Sequence, residues 1–223
     1  MVALQTILAR GGAFDMFGKL LSNFRNTVLL SLVLAGVMIF AFVQVSGREW
    51  SDMTVWQAVF RWTHVFAGIL WIGLLWYFNF VQIRVMPSIP AELKPAIGKH
   101  IAPEALFWFR WSALATVLAG LALAFSRGHA YAIEVLTFGL AGGLTDDQKG
   151  YTLMGIGVWL AIIMFLNVWG VIWPNQKRAL GIVAVEDDAK AKAARLAMLA
   201  SRINMLLSLP MLTSMAMYQT LFG

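Results

Sequence analysis

The chain has 223 residues, 60% hydrophobic and only 13% charged, with ten Trp, fifteen Phe and twelve Met; a soluble domain could not hide that much apolar surface, whereas a bundle of membrane-spanning helices requires it. The absence of cysteine excludes disulfides, Cys-ligated zinc, iron–sulfur clusters and c-type heme attachment within this polypeptide. The net charge of +6 would suit a nucleic-acid binder, but the basic residues sit in the connections between apolar runs, so no nucleic acid is expected.

Residues 1–26 place Leu4, Ile7, Leu8, Phe14, Phe17, Leu20, Leu21 and Phe24 at near-helical spacing among Arg10, Lys19 and Arg25. This pattern predicts an interfacial helix lying on the inner leaflet rather than a signal peptide. Residues 27–223 then read as one transmembrane domain. Five runs reach the roughly 20 residues that a helix needs to cross about 30 Å of hydrocarbon: Thr27 to Val45, Val55 to Val85, Glu104 to Phe125, Thr152 to Trp173 and Leu199 to Phe222. A short apolar piece, Ala132 to Leu144, cannot cross and is expected to be interfacial or re-entrant. Glu186, Asp187 and Asp188 ahead of Lys190, Lys192 and Arg195 complement a helix dipole and predict a polar extension of the fifth span. The fold class is therefore all-α, a polytopic transmembrane helical bundle.

Lys and Arg concentrate in alternate non-spanning segments: Arg10, Lys19 and Arg25; then Arg84, Lys94 and Lys99; then Lys177, Arg178, Lys190, Lys192 and Arg195. The positive-inside bias places those segments and the N-terminus in the cytoplasm and the C-terminus outside.

Chemistry-bearing residues fall mainly on the second span. At 100° per residue, Gln57, Arg61, His64, Gly68, Trp71, Leu75, Asn79 and Gln82 share one face. A face holding an imidazole, a guanidinium and two amides must turn to the bundle interior or a cavity rather than to lipid. One reading makes His64 the axial metal ligand of heme b, with Arg61 pairing a propionate, Gly68 leaving room for a flat macrocycle and Trp71 completing the cofactor site. The other makes His64 a neutral interhelical hydrogen-bonding residue and Gly68 a close-packing position. A second axial ligand is not evident: His100 lies too far along the bilayer normal, and His129 or a methionine remains open. On the third span, Arg110 is expected to snorkel to the headgroups amid aromatic residues; the alternative is a cationic cavity for an anion. On the fifth, Ser201, Asn204, Ser208 and Met215 share a face suited to interhelical hydrogen bonds, and Met205, Met211, Met215 and Met217 to gap filling.

Four stretches, Val59 to Tyr77 (VFRWTHVFAGILWIGLLWY), Pro103 to Gly120 (PEALFWFRWSALATVLAG), Asn167 to Gly181 (NVWGVIWPNQKRALG) and Ser201 to Met211 (SRINMLLSLPM), resemble in this order the membrane domain of bacterial PuuD-type urate hydroxylase, the urate oxidase N-terminal family. The resemblance implies a short form that lacks that family's cytochrome c domain. Pro87 to Ala102 replaces the family's glycine-rich, histidine-bearing stretch, and Ile203 stands where its Ser-Arg-His-Asn pattern has histidine. The His64 segment also resembles, more loosely, those of the HemJ type of membrane protoporphyrinogen oxidase and of CopD-like proteins, which implies heme b or a metal near His64. The resemblance implies an electron-transfer-linked membrane protein, with a cytochrome c or a larger membrane complex as partner. The competing expectation is a non-catalytic structural subunit of a respiratory or photosynthetic complex.

Overall fold

The computed structural model describes residues 17–141 and 148–222. Residues 1–16 of the expected interfacial segment lie outside them; residues 17–21 are helical and exposed. Among the described residues there is no strand, and five helices are long and apolar enough to cross a membrane. These are α1 (Phe24–Val45), α2 (Met53–Ser88), α3 (Lys94–Ser126), α5 (Lys149–Ala179) and α6 (Asp187–Leu221). The short α4 (His129–Leu136) joins α3 to α5; its eight residues rise only about 12 Å, so it cannot span.

The described residues divide between Trp56 and Gln57 into two compact units. In the first, the Asn23 side chain caps α1 by accepting from the Asn26 N–H at 3.3 Å. The apolar side chains of α1 point outward nearly all round, Leu29, Val33, Val37 and Phe40 among them, as lipid-facing residues do. Asp52 opens α2: its carboxylate accepts the Thr54 N–H at 2.8 Å and pairs with Arg48 at 2.5 Å. Those contacts, the Thr54 amide first, hold its pKa below the ordinary carboxylate value.

In the second unit, α2, α3, α5 and α6 surround one apolar core built on Trp71, Leu75, Phe78, Phe109, Met164 and Val168. Small residues set the spacing. The buried face of α6 reads Ala193, Ala197, Ala200, Ser201, Asn204, Ser208, Met211, Ser214, a pattern that lets helix backbones approach closely without help from the hydrophobic effect. Ser214 donates to the Leu153 carbonyl of α5, and Gly157 lies under that hydroxyl. The polar extension of α6 begins at Asp187, as its charge order predicts.

Three spans depart from the α-helix in the same way, and α2 also ends in a 3₁₀ turn at Met86–Ser88. Tyr77–Gln82 in α2, Ile97–Ile101 in α3 and Val168–Ile172 in α5 are π-helical turns. A strict 100° period does not survive such a turn, yet Asn79 and Gln82 within the first one still turn inward with Trp71 and Leu75.

Candidate functional site

His64 is half-buried on α2, and its Nδ1 lies 2.8 Å from the Thr116 carbonyl oxygen of α3. A carbonyl can only accept, so Nδ1 carries the proton and, in the neutral ring, Nε2 is a lone pair. The ring lies over Gly120, where a Cβ would stand 2.8 Å from Nδ1. Gly68 does not open onto space, because Thr116 Cγ2 lies 3.6 Å from where its Cβ would be. Trp71 has no exposed surface and belongs to the apolar core. Arg61 is exposed, a departure from the inward face expected of it. The structure thus brings His64 and Gly68 together against Thr116, and places Arg61 and Trp71 in two other environments.

A heme b at His64 does not fit these residues. An imidazole donating Nδ1–H to a backbone carbonyl is the arrangement that orients Nε2 toward a metal. The face meant for the macrocycle, however, is filled by Thr116 and by the core around Trp71. The geometry matches the interhelical reading, with glycine supplying the close approach.

A polar ladder crosses the core further along. Asn79, buried on α2, donates to Ser201 Oγ at 2.9 Å, and Trp76 Nε1 donates to Ser208 Oγ at 3.2 Å. Asn167 of α5 donates to Asn204 Oδ1 at 2.7 Å, while Asn204 donates to the Met164 carbonyl at 3.0 Å. The polar face expected on the fifth span therefore holds α2 and α5 to α6.

At the end of this ladder the helices part around a cleft of about 410 Å³, within the size range of small-molecule sites. Its floor is apolar, with Phe78 set edge-on to Phe109 at 5.7 Å between ring centroids. Its polar groups are Gln82, Lys94, Gln176 and Ser201. All three π turns border it: Phe78 and Gln82 belong to the first, Ala102 follows the second, and Ile172 closes the third. Single π turns in α-helices recur at functional sites, because they re-aim side chains that a regular helix would direct elsewhere.

Gln82 Oε1 is buried and has no hydrogen-bond partner. Trp71 Nε1, Asn79 Oδ1, Glu134 Oε2 and Trp169 Nε1 share that condition, but of the five only Gln82 lines the cleft, where an unmet acceptor asks for a donor from a ligand or water. Because the cleft joins Met86 and Lys94 to Gln176 and Met198, the basic connections after α2 and after α5 lie at one end of the bundle. His64 lies about 20 Å away along α2, at 1.5 Å per residue over the 14 residues to Phe78. The cleft was not legible as a site in the sequence, since its residues come from α2, α3, α5 and α6.

No protein-family model, curated protein or solved structure matches the chain.

Proposed function

We propose that this chain is the membrane-embedded, electron-transfer-linked domain of a protein related to bacterial urate hydroxylase, and that it binds a small polar substrate in the cleft at its basic end. The observation that carries this reading is Gln82 Oε1, a buried acceptor without a donor in a cleft framed by three π turns. Lys94 at the rim has no carboxylate partner, since Arg48 with Asp52 is the one ion pair among the described residues. An N–H or O–H on the bound molecule would satisfy Gln82, and negative charge on it would meet Lys94. The Phe78–Phe109 floor suits a flat ring. A cytochrome c is the electron acceptor that the resemblance supplies.

The rival reading is a structural subunit whose polar groups only hold helices together. It accounts for Asn167, Asn204 and the Asn79 donor, which reach neighbouring helices, but leaves the side-chain carbonyls of Asn79 and Gln82 without a donor. The resemblance places the chain in a bacterial inner membrane with its C-terminus in the periplasm, and the Lys and Arg asymmetry supports a cleft facing the cytoplasm and Gly223 outside; reporter fusions that put the C-terminus in the cytoplasm would reverse that orientation.

Urate is the probe for the binding reading. Thermal unfolding of the detergent-purified protein should shift upward with urate, and the shift should vanish in Gln82→Leu and in Ala197→Phe, which fills the cleft. A wild-type midpoint indifferent to urate and to simpler aromatic carboxylates would favour the structural subunit.

A further inference from the structure

Arg110 and Lys177 both lie against a single indole. The Arg110 guanidinium carbon is 3.4 Å from the centroid of the Trp173 ring, and Lys177 Nζ is 5.7 Å from it. Trp169, one turn before Trp173 in the third π turn, also faces Arg110 at 5.8 Å. Two like charges gathered on one ring repel, and their attraction to the indole offsets that repulsion only in part. Neither cation has a carboxylate. The ion pair of the described residues is elsewhere, and Glu104, the nearest acid along α3, accepts from Trp108 Nε1 at 3.0 Å. Arg110 spends only Nε internally, donating to the Leu106 carbonyl at 3.2 Å. Its two terminal nitrogens keep the paired donors that match a phosphate.

We propose that Arg110, Trp173 and Lys177 form a binding site for the phosphate of an anionic phospholipid in the leaflet at the basic end of the bundle. The site is separate from the cleft: Ile172 and Gln176 line the cleft, whereas Trp173 and Lys177, each one residue on, point about 100° around the helix. A lipid rather than a soluble anion is favoured by what flanks the cations. Phe107 and Trp111, beside Arg110 on α3, are 44% and 48% exposed and offer apolar surface to acyl chains. Tryptophan and basic residues together mark the headgroup level of a bilayer. Each cation near an anionic headgroup contributes roughly a fivefold preference.

The test is native mass spectrometry of the purified full chain in micelles holding equal phosphatidylglycerol and phosphatidylcholine. Wild type should retain phosphatidylglycerol preferentially. Arg110→Gln with Lys177→Gln should bring the ratio of retained lipids near one, while Lys190→Gln with Lys192→Gln leaves the preference intact. Should the double variant not fold, Lys177→Gln alone must lower the ratio about fivefold. Equal retention by wild type, or an unchanged ratio in Lys177→Gln, overturns the site. If inorganic phosphate at the lipid's concentration displaces the bound phosphatidylglycerol, the site belongs to a soluble anion and the lipid assignment fails.

Discussion

The imidazole of His64 rests on the Cα of Gly120, so closely that a Cβ on residue 120 would stand 2.8 Å from Nδ1. The ring cannot retreat without lengthening its 2.8 Å bond to the Thr116 carbonyl on the same helix face.

Gly120→Ala should therefore destabilise the bundle by about 1–3 kcal/mol, the usual effect of stranding a buried polar group. Gly73→Ala is the matched control, since nothing lies within 4 Å of that position, and it should cost nothing. Denaturant titration of both variants in detergent decides; equal midpoints would mean that the His64 contact has no energetic weight.

Gly155→Ala should act more locally. A Cβ there collides with the Val135 carbonyl oxygen at the end of α4, where Thr152 Oγ1 and Trp159 Nε1 already donate to the Phe138 and Leu136 carbonyls at 2.7 and 2.9 Å. Backbone cannot swing aside as a side chain can, so α4 should lift from α5. Hydrogen exchange would then rise across residues 129–141 before the rest of the bundle loosens, and a uniform rise would refute the local mechanism.

Asn167 and Asn204 should couple. Each single change to Ala removes the 2.7 Å bond between them, and the coupling energy in a double-mutant cycle should be about 0.6 kcal/mol and at most about 1.7 kcal/mol, the range found for hydrogen bonds inside membranes. Strict additivity would show that the pair does not act together.

Tyr131 supplies a pH test outside the spans. Burial first, and then its 3.2 Å hydrogen bond to the Tyr218 hydroxyl, push its phenol from 10.0 up to about 12, against the pull of Arg127. The unfolded chain thus loses this proton first as pH rises. Stability contributed by the phenol is complete below pH 10.0 and is lost as pH climbs through about 12. Tyr131→Phe should flatten that part of the stability profile, and a wild-type profile already flat there would contradict the raised pKa.

An optical spectrum tests the packing argument against heme. Protein from heme-replete cells should show no absorbance beyond that of its aromatic residues. A Soret band that disappears in His64→Ala but persists in His100→Ala would restore the cofactor and require the Thr116 and Gly68 contact to open.

The five spans were legible because length and apolarity alone decide them. Helix ends were less so: α3 starts at Lys94 rather than Glu104, since backbone hydrogen bonding continues past the apolar run, whereas the start of α6 at Asp187 followed from the charge order of its first turns. The polar face of α6 and the inward amide of Asn79 could be read from periodicity. The partner of His64 could not, because Thr116 contributes a main-chain oxygen that no side-chain pattern reports. Arg61 shared the period of His64 yet is exposed near the end of its helix. The cleft escaped notice for a different reason: the π turns that shape it break the regular period by which faces were assigned.

Those turns also separate the history of the helices from that of the site. A π turn accommodates one surplus residue while the helix on either side keeps its alignment with its neighbours. Losing one residue within Tyr77–Gln82 or Val168–Ile172 would restore an unbroken α-helix, whereas the same loss elsewhere would rotate everything beyond it by about 100°. Single-codon deletions in these windows should thus yield inserted, folded protein with a remodelled cleft, which makes the π turns the places where a lineage can gain or discard the cleft without redesigning the bundle.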